Sequence, residues 1–123
     1  MSKILLVDDS KVIRQGLSLA IQSFGLEVHT AECGAEGIKI LDREKFNLII
    51  SDFHMPDMSG LVMADIITSR YDIPIIMLTT EECTSELRNK AKMIGVKGWM
   101  VKPMKNDILK QTIDKVMKAH SRP

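Results

Sequence analysis

The chain has 123 residues, with 17 Lys and Arg against 16 Asp and Glu, a net charge of +1, 45% hydrophobic and 27% charged residues. This globular balance and length suit one domain over residues 1–123 with a core of its own, and apolar runs of only strand length exclude a membrane span. Met1-Ser2-Lys3 leads straight into Ile4-Leu5-Leu6-Val7 and two aspartates, too short and too early for a secretory signal, so a soluble, cytoplasmic protein is expected.

Ile4-Leu5-Leu6-Val7 is a continuous apolar run, read as a buried strand that ends at Asp8-Asp9. Ser10 can cap a helix whose Ile13, Leu17, Ala20 and Phe24 recur at helical spacing, closed by Gly25. Val28-His29-Thr30-Ala31 alternates, as an edge strand does, which leaves His29 a plain surface histidine. A helix from about Gly34 to Glu44, with Ala35, Ile38 and Leu41 inward, leads to Asn47-Leu48-Ile49-Ile50-Ser51-Asp52. That strand runs out at Asp52 into a loop punctuated by Pro56 and Gly60. Leu61 to Arg70 is helical by composition, with Val62, Ile66 and Ile67 as its stripe. Ile75-Ile76-Met77-Leu78 then ends at Thr79-Thr80-Glu81-Glu82, and a helix with Leu87, Ala91 and Ile94 inward stops at Gly95. Gly98-Trp99-Met100-Val101 makes a short last strand broken by Lys102-Pro103, and a closing helix from Asp107 to about His120 aligns Leu109, Ile113 and Val116.

Five strand-plus-helix units in strict alternation require crossover connections, hence a parallel sheet and a doubly wound three-layer α/β domain. No internal repeat, linker or low-complexity tract interrupts it. In such sheets ligands bind outside the carboxyl ends of the strands. That rim collects Asp8, Asp9, Asp52, Thr79 and Lys102.

Carboxylates crowded into one crevice repel each other, and a hard divalent cation with oxygen ligands relieves them, which points to Mg²⁺. Helix capping by Asp9 or Ser10 explains the aspartate pair equally well when it is taken alone. An Asp, a hydroxyl and a Lys at the ends of three further strands make coincidence a poor account. Mg²⁺, the Lys102 ammonium and the Thr79 hydroxyl suit a phosphoryl group, and Asp52 is then its nucleophile, forming an aspartyl phosphate later lost to water. The Lys102-Pro103 bond is a candidate cis peptide that would aim Lys102 into the crevice.

Cys33 and Cys83 have neither CxxC nor His spacing and read as buried small residues or free thiols. Most of the 9 methionines read as core fillers, with Met58 and Met104 in loops where an adaptable binding surface could use them. Charge is uneven: residues 1–61 hold 6 Lys and Arg against 9 Asp and Glu, while from Thr84 onward the balance is 10 against 3. Solvated helix faces are the first explanation and an acidic protein partner the second. Direct nucleic-acid binding is disfavoured, because the basic half offers only Tyr71 and Trp99 for stacking on bases.

Together, Val7-Asp8-Asp9-Ser10, Ser51-Asp52 with Met55-Pro56-Asp57-Met58-Ser59-Gly60, Leu78-Thr79-Thr80-Glu81 and Val101-Lys102-Pro103 closely resemble the receiver domain of two-component response regulators. The resemblance spans essentially the whole chain and implies a flavodoxin-like sandwich of five strands in the order 2-1-3-4-5 flanked by five helices. It implies that Asp52 takes a phosphoryl group from a sensor histidine kinase. Mg²⁺ would be held by Asp9, Asp52 and the backbone carbonyl of His54, with Asp8 assisting through water, and Thr79 and Lys102 would hold the phosphoryl oxygens. Thr79 and the aromatic Trp99 would act as switch residues that alter the face of the fourth helix, fifth strand and fifth helix. Such a domain catalyses only its own phosphorylation and dephosphorylation and is otherwise no enzyme.

Trp99 stands where Tyr or Phe is commoner, Thr80 replaces a smaller residue, and Met104 replaces a common Phe. Gly98-Trp99 before Val101-Lys102-Pro103 resembles chemotaxis-type stand-alone receivers, which makes a flagellar or chemotaxis target, bound through a basic face, the expected downstream partner, with a phosphatase as a further candidate. His54 and Glu81 flank the path of water to the acyl phosphate and are expected to set its lifetime. Three rival readings are a receiver cut from a longer transcriptional regulator, a Mg²⁺-dependent aspartyl phosphatase, and a flavodoxin-like cofactor binder. The phosphatase would want an Asp where His54 stands, and Asp8-Asp9 would repel a cofactor phosphate.

Overall fold

The computed structural model describes residues 2–79 and 84–120. Strands and helices alternate along it: β1 (Lys3–Val7), α1 (Lys11–Ser23), β2 (Glu27–Ala31), α2 (Gly34–Arg43), β3 (Leu48–Asp52), α3 (Gly60–Arg70), β4 (Ile75–Thr79), α4 (Ser85–Ile94), β5 (Gly98–Val101) and α5 (Asn106–His120). The strands form one sheet in the order β2-β1-β3-β4-β5, and every pairing is parallel. The expected fold class and strand order are those observed. Among the described residues, no helix is long and apolar enough to cross a membrane.

Alternation along each strand divides the core into two layers. Leu5, Val7, Ile49 and Met77 pack with Leu41, Met63, Ala64, Ile67 and Ala91 of α2, α3 and α4. Ile4, Leu6, Leu48, Ile50, Ile76 and Leu78 pack with Ile21 of α1 and Leu109, Ile113 and Val116 of α5. Both faces of the three central strands are therefore covered, which is why they read as unbroken apolar runs. Helix starts follow the side-chain caps: Ser10, Ser59 and Thr84 accept from the amides of Ile13, Val62 and Leu87 at 3.3, 3.2 and 3.2 Å. Gly25 and Gly95, at φ of 84° and 120°, end α1 and α4 in a conformation that side chains disfavour.

The inward faces of α2 and α3 differ from the expected ones, while that of α1 is the expected one. In α1, Leu17, Ala20 and Phe24 pack on the core around the fully buried Ile21, and Ile13 is partly covered. In α2, Ala35 is exposed, and the buried positions are Gly34, Gly37, Ile40 and Leu41. Glycine marks the close side of that helix: a Cβ at Gly37 would lie 2.8 Å from Met63 Cε and 3.0 Å from Val7 Cγ2. In α3, Val62 is exposed and Gly60, Met63, Ala64 and Ile67 face inward. Apolar residues surround α3 on most sides, so periodicity does not select its buried face; the neighbouring β3, α2 and α4 do.

His29 is not a plain surface histidine. Its ring lies edge-on to Phe46 at 5.5 Å, and its Nε2 is 2.7 Å from Glu27 Oε2. Lys3 Nζ binds Glu44 at 3.1 Å in the same cluster, which fastens the edge strand to the α2–β3 connection. Met58 and Met104 are partly buried and pack on the two core layers, and Met104 also lines an open groove beside β5 and α5.

Gly60 is the tightest point beside the strand rim. A Cβ there would lie 2.6 Å from the Asp52 carbonyl oxygen and 2.9 Å from Phe53 Cα, both backbone atoms with nowhere to move. Gly60→Ala is expected to lower unfolding free energy by about 2–3 kcal/mol in urea titrations. Gly16, in the middle of α1 with no atom within 4 Å of an added Cβ, is the control: Gly16→Ala is expected to gain about 0.5–1 kcal/mol.

Candidate functional site

The in-register parallel sheet brings strand ends to one rim. Val7 pairs with Ser51, Asp52 with Leu78, and Thr79 with Val101, so Asp8, Asp52, Thr79 and Lys102 follow from adjacent ladders. Backbone bonds extend the alignment past the strands, from Asp8 N to Ala31 O at 3.1 Å, Phe53 N to Leu78 O at 2.7 Å, and Lys102 N to Thr79 O at 2.6 Å.

Asp8, Asp52 and Thr79 are buried, with relative exposures of 0%, 6% and 3%, whereas Asp9 is exposed. One carboxylate oxygen from each of Asp8, Asp9 and Asp52 lies within 4.8 Å of the others, close enough to share one cation. All are hard oxygen donors, the set that suits Mg²⁺ over a thiol- or imidazole-seeking metal. Lys102 Nζ reaches 3.1 Å from Asp8 Oδ2 and 3.3 Å from Asp52 Oδ2, and the Lys102–Pro103 bond is cis. The five residues expected at the rim are thus together. His54 is exposed beside the cluster, with its amide donating to Asp52 Oδ1 at 3.3 Å and its ring edge-on to Phe53 at 4.7 Å. Glu81, with Thr80 and Cys83, lies outside the described residues; Cys33 is a free thiol.

The sequence assigns no role to two participants, although Asp57 stands within the motif of residues 55–60. Arg14 donates through Nη1 to the Asp8 carbonyl at 2.7 Å and pairs with Glu32 at 3.4 Å, holding the end of β1 in place. Asp57 accepts from the Gly34 and Ala35 amides at 3.0 and 2.8 Å, tying the β3–α3 connection to α2. Both act across sequence gaps that local spacing cannot reveal. Ser10 also donates its amide to Asp8 Oδ1 at 2.8 Å, so Asp8 is oriented from three sides.

Trp99 lies on the same face of the sheet as Thr79, since Met77 pairs with Trp99 and Thr79 with Val101 two residues on. Its ring sits 5.9 Å from Phe53, with the Arg88 guanidinium 5.9 Å from its centroid. Its indole Nε1 is buried without a hydrogen-bond partner. Two grooves flank it, one of about 300 Å³ against α4 and one of about 640 Å³ against α5. Arg88, Lys92, Lys97, Lys115 and His120 line them, and no acidic side chain does among the described residues.

Burial pushes the Asp52 carboxyl above its ordinary value, and the neighbouring Asp8 charge adds to the rise; Lys102 and the His54 amide oppose it. Two carboxylates and one ammonium leave this triad with excess negative charge.

Residues 4–114 match the family model of the response regulator receiver domain. The transcriptional regulatory protein GlrR of Escherichia coli is 39% identical over 112 residues, which are 90% of this chain but 25% of that protein. The chain thus spans about a quarter of that relative's length. The chemotaxis protein CheY1 of Helicobacter pylori is 36% identical over 94% of this chain and 96% of its own length. The solved structure of chemotaxis response regulator CheY4 of Vibrio cholerae superposes with a TM-score of 0.88 at 40% identity, covering 94% of this chain and 98% of that one.

Asp52→Asn leaves a neutral Lys102–Asp8 pair, so it is expected to raise stability at neutral pH, on the order of 1 kcal/mol. The sign follows from the raised pKa: the burial penalty is full above it and vanishes below the ordinary carboxylate value of 3.8. Thermal melts should therefore converge for the two proteins as pH falls through that window. Lys102→Met leaves both carboxylates without their ammonium and is expected to cost about 3–5 kcal/mol.

Proposed function

The chain belongs to the response regulator receiver domain family, and from that premise we propose that Asp52 is the phosphoacceptor of a two-component signalling switch. The observation that carries this reading is the Lys102 ammonium lodged between Asp8 and Asp52 on the rim of a parallel sheet. An oxygen of Asp52 attacks the phosphorus of a phosphohistidine on a sensor histidine kinase. The new P–O bond forms as the P–N bond breaks, and water later returns the carboxylate and inorganic phosphate. Lys102 and Thr79 hold the equatorial oxygens, where charge accumulates in the transition state.

Asp9, Asp52 and the His54 carbonyl would hold Mg²⁺, and Asp8 would assist through water. When bound, the ion neutralises the acidic cluster and the charge of the transferred group. Asp9, exposed at the mouth, is suited to exchange ligands with solvent, while buried Asp8 keeps Lys102 in place. His54 and Glu81 set how long the acyl phosphate lasts by controlling the approach of water. This self-directed chemistry is all the catalysis the reading assigns, and it goes with one receiver domain over residues 1–123, working in the cytoplasm.

The signal leaves through Trp99. Phosphorylation draws Thr79 toward the site, Trp99 follows on the same face, and the surface of α4, β5 and α5 changes. The downstream partner is a chemotaxis or flagellar-motor protein, supported by likeness to CheY1 over nearly its whole length. Basic grooves beside Trp99 favour an acidic segment of that partner. A second reading, the receiver part of a longer transcriptional regulator, is favoured by the likeness to GlrR.

Intact mass after incubation with Mg²⁺ and a small phosphodonor is expected to show one hydroxylamine-labile phosphoryl group on the wild type and none on Asp52→Asn. An adduct retained in the variant would remove Asp52 from its role. His54→Asn is expected to change the dephosphorylation rate severalfold; an unchanged rate would sink the lifetime role of His54. Partner affinity should fall as salt rises, and an affinity indifferent to salt would dismiss the electrostatic part.

A further inference from the structure

The β3–α3 connection is fastened to the start of α2 by a carboxylate outside the acidic cluster. Asp57 binds the Gly34 amide through Oδ1 at 3.0 Å and the Ala35 amide through Oδ2 at 2.8 Å. These are two of the donors that a helix's first turn leaves without intrahelical partners. Cys33, the N-cap residue of α2, makes no side-chain bond to that turn, so the helix is capped from a neighbouring loop. Slight burial works against ionisation of Asp57. The amides of Ala35, Gly34 and Asp57 itself and the Cys33 thiol outweigh it and hold the carboxyl below its ordinary range.

Packing brings the same two segments together. A Cβ at Gly34 would fall 2.6 Å from Met58 Cγ, so a side chain there would displace Met58 from its present seat. The connection is also pinned at both ends, where Phe53 N donates to Leu78 O at 2.7 Å and Gly60 N donates to Phe53 O at 2.7 Å. His54 lies between the pin at Phe53 and the pin at Asp57.

We propose that Asp57 is a positioning residue for the acidic site: by capping α2 from the β3–α3 connection, it fixes the backbone of His54 and so the direction of its carbonyl. The proposal rests on the Mg²⁺ reading above for its functional consequence. A loop carbonyl that must find its direction anew at each binding event loses entropy on binding, and one already held does not. Asp57 thus acts on affinity without touching the ion.

Four proteins test this: wild type, Asp57→Ala, Cys33→Ser and the double variant. Serine at position 33 supplies α2 with a cap of its own, yet it cannot fasten the connection. Three quantities are read: melting temperature, Mg²⁺ affinity by Trp99 fluorescence, and amide exchange over residues 53–58 without metal. Asp57→Ala is expected to lower melting by about 4 °C. It should also weaken Mg²⁺ binding about tenfold, as loss of an outer-shell partner does, and speed exchange across the connection. The double variant should regain the melting temperature and neither of the other two. Recovery of all three would reduce Asp57 to a helix cap and overturn the proposal, as would wild-type exchange and affinity in Asp57→Ala. Absence of any Mg²⁺ response in the wild type would count against the metal reading alone. Exchange in the two Asp57→Ala proteins would then decide the positioning role by itself.

Discussion

Everything at the rim depends on an imbalance of charge. Asp8 and Asp52 are buried and share the Lys102 ammonium, at 3.1 and 3.3 Å, while Asp9 waits at the surface close by. Buried like charges cost free energy that one ammonium only partly offsets. The fold tolerates this because the cost is localised at the ends of strands whose interiors are apolar on both faces. Placing the carboxylates in mid-strand would have put the same charges inside the core layers, where no solvent or ion can reach.

That economy explains the attention the chain gives to loop geometry. The residues that do the holding are small or make backbone contacts: Gly60 against the Asp52 carbonyl, Gly34 against Met58, and Arg14 on the Asp8 carbonyl. The two glycines carry no charge, and Arg14 directs its own at the Asp8 carbonyl and at Glu32. Their common effect is to leave the acidic side chains few alternative positions, so repulsion among them is not dissipated by movement. A cation or a phosphoryl group then meets a field already in place, which is how preorganised sites gain their strength.

How much of this could be read from the chain depends on the range of each interaction. Strands β1, β3 and β4 were legible because burial on both faces leaves an unbroken apolar run, and their last residues could be assigned to the rim from topology alone. Helix α5 was legible because one stripe, Leu109, Ile113 and Val116, carries all its burial. Helix α3 was not: Leu61, Val62, Met63, Ala64, Ile66 and Ile67 offer several apolar faces, and its neighbours decide among them. The glycines of α2 mislead in the opposite sense, since the residue with least apolar surface faces the tightest packing. His29 on Phe46, Arg14 on Glu32 and Asp57 on the start of α2 reach partners distant in sequence, a relation that no local period encodes.

The setting of Trp99 bears on the switch role proposed for it. Its buried indole N–H has no partner, a deficit of about 1–3 kcal/mol relative to a satisfied donor. Contact with Phe53 and the Arg88 guanidinium offsets part of that, each by about 1 kcal/mol. The observed setting of the ring is therefore held by ring contacts and not by a hydrogen bond. A residue with two settings responds to a signal only if the gap between them is smaller than the differential binding energy the signal brings. An indole satisfied by a strong hydrogen bond would hold its place whatever happened at Asp52. Left unpaired, it has no such bond to break, which is what the proposed switch role, with Thr79 on the same face, requires.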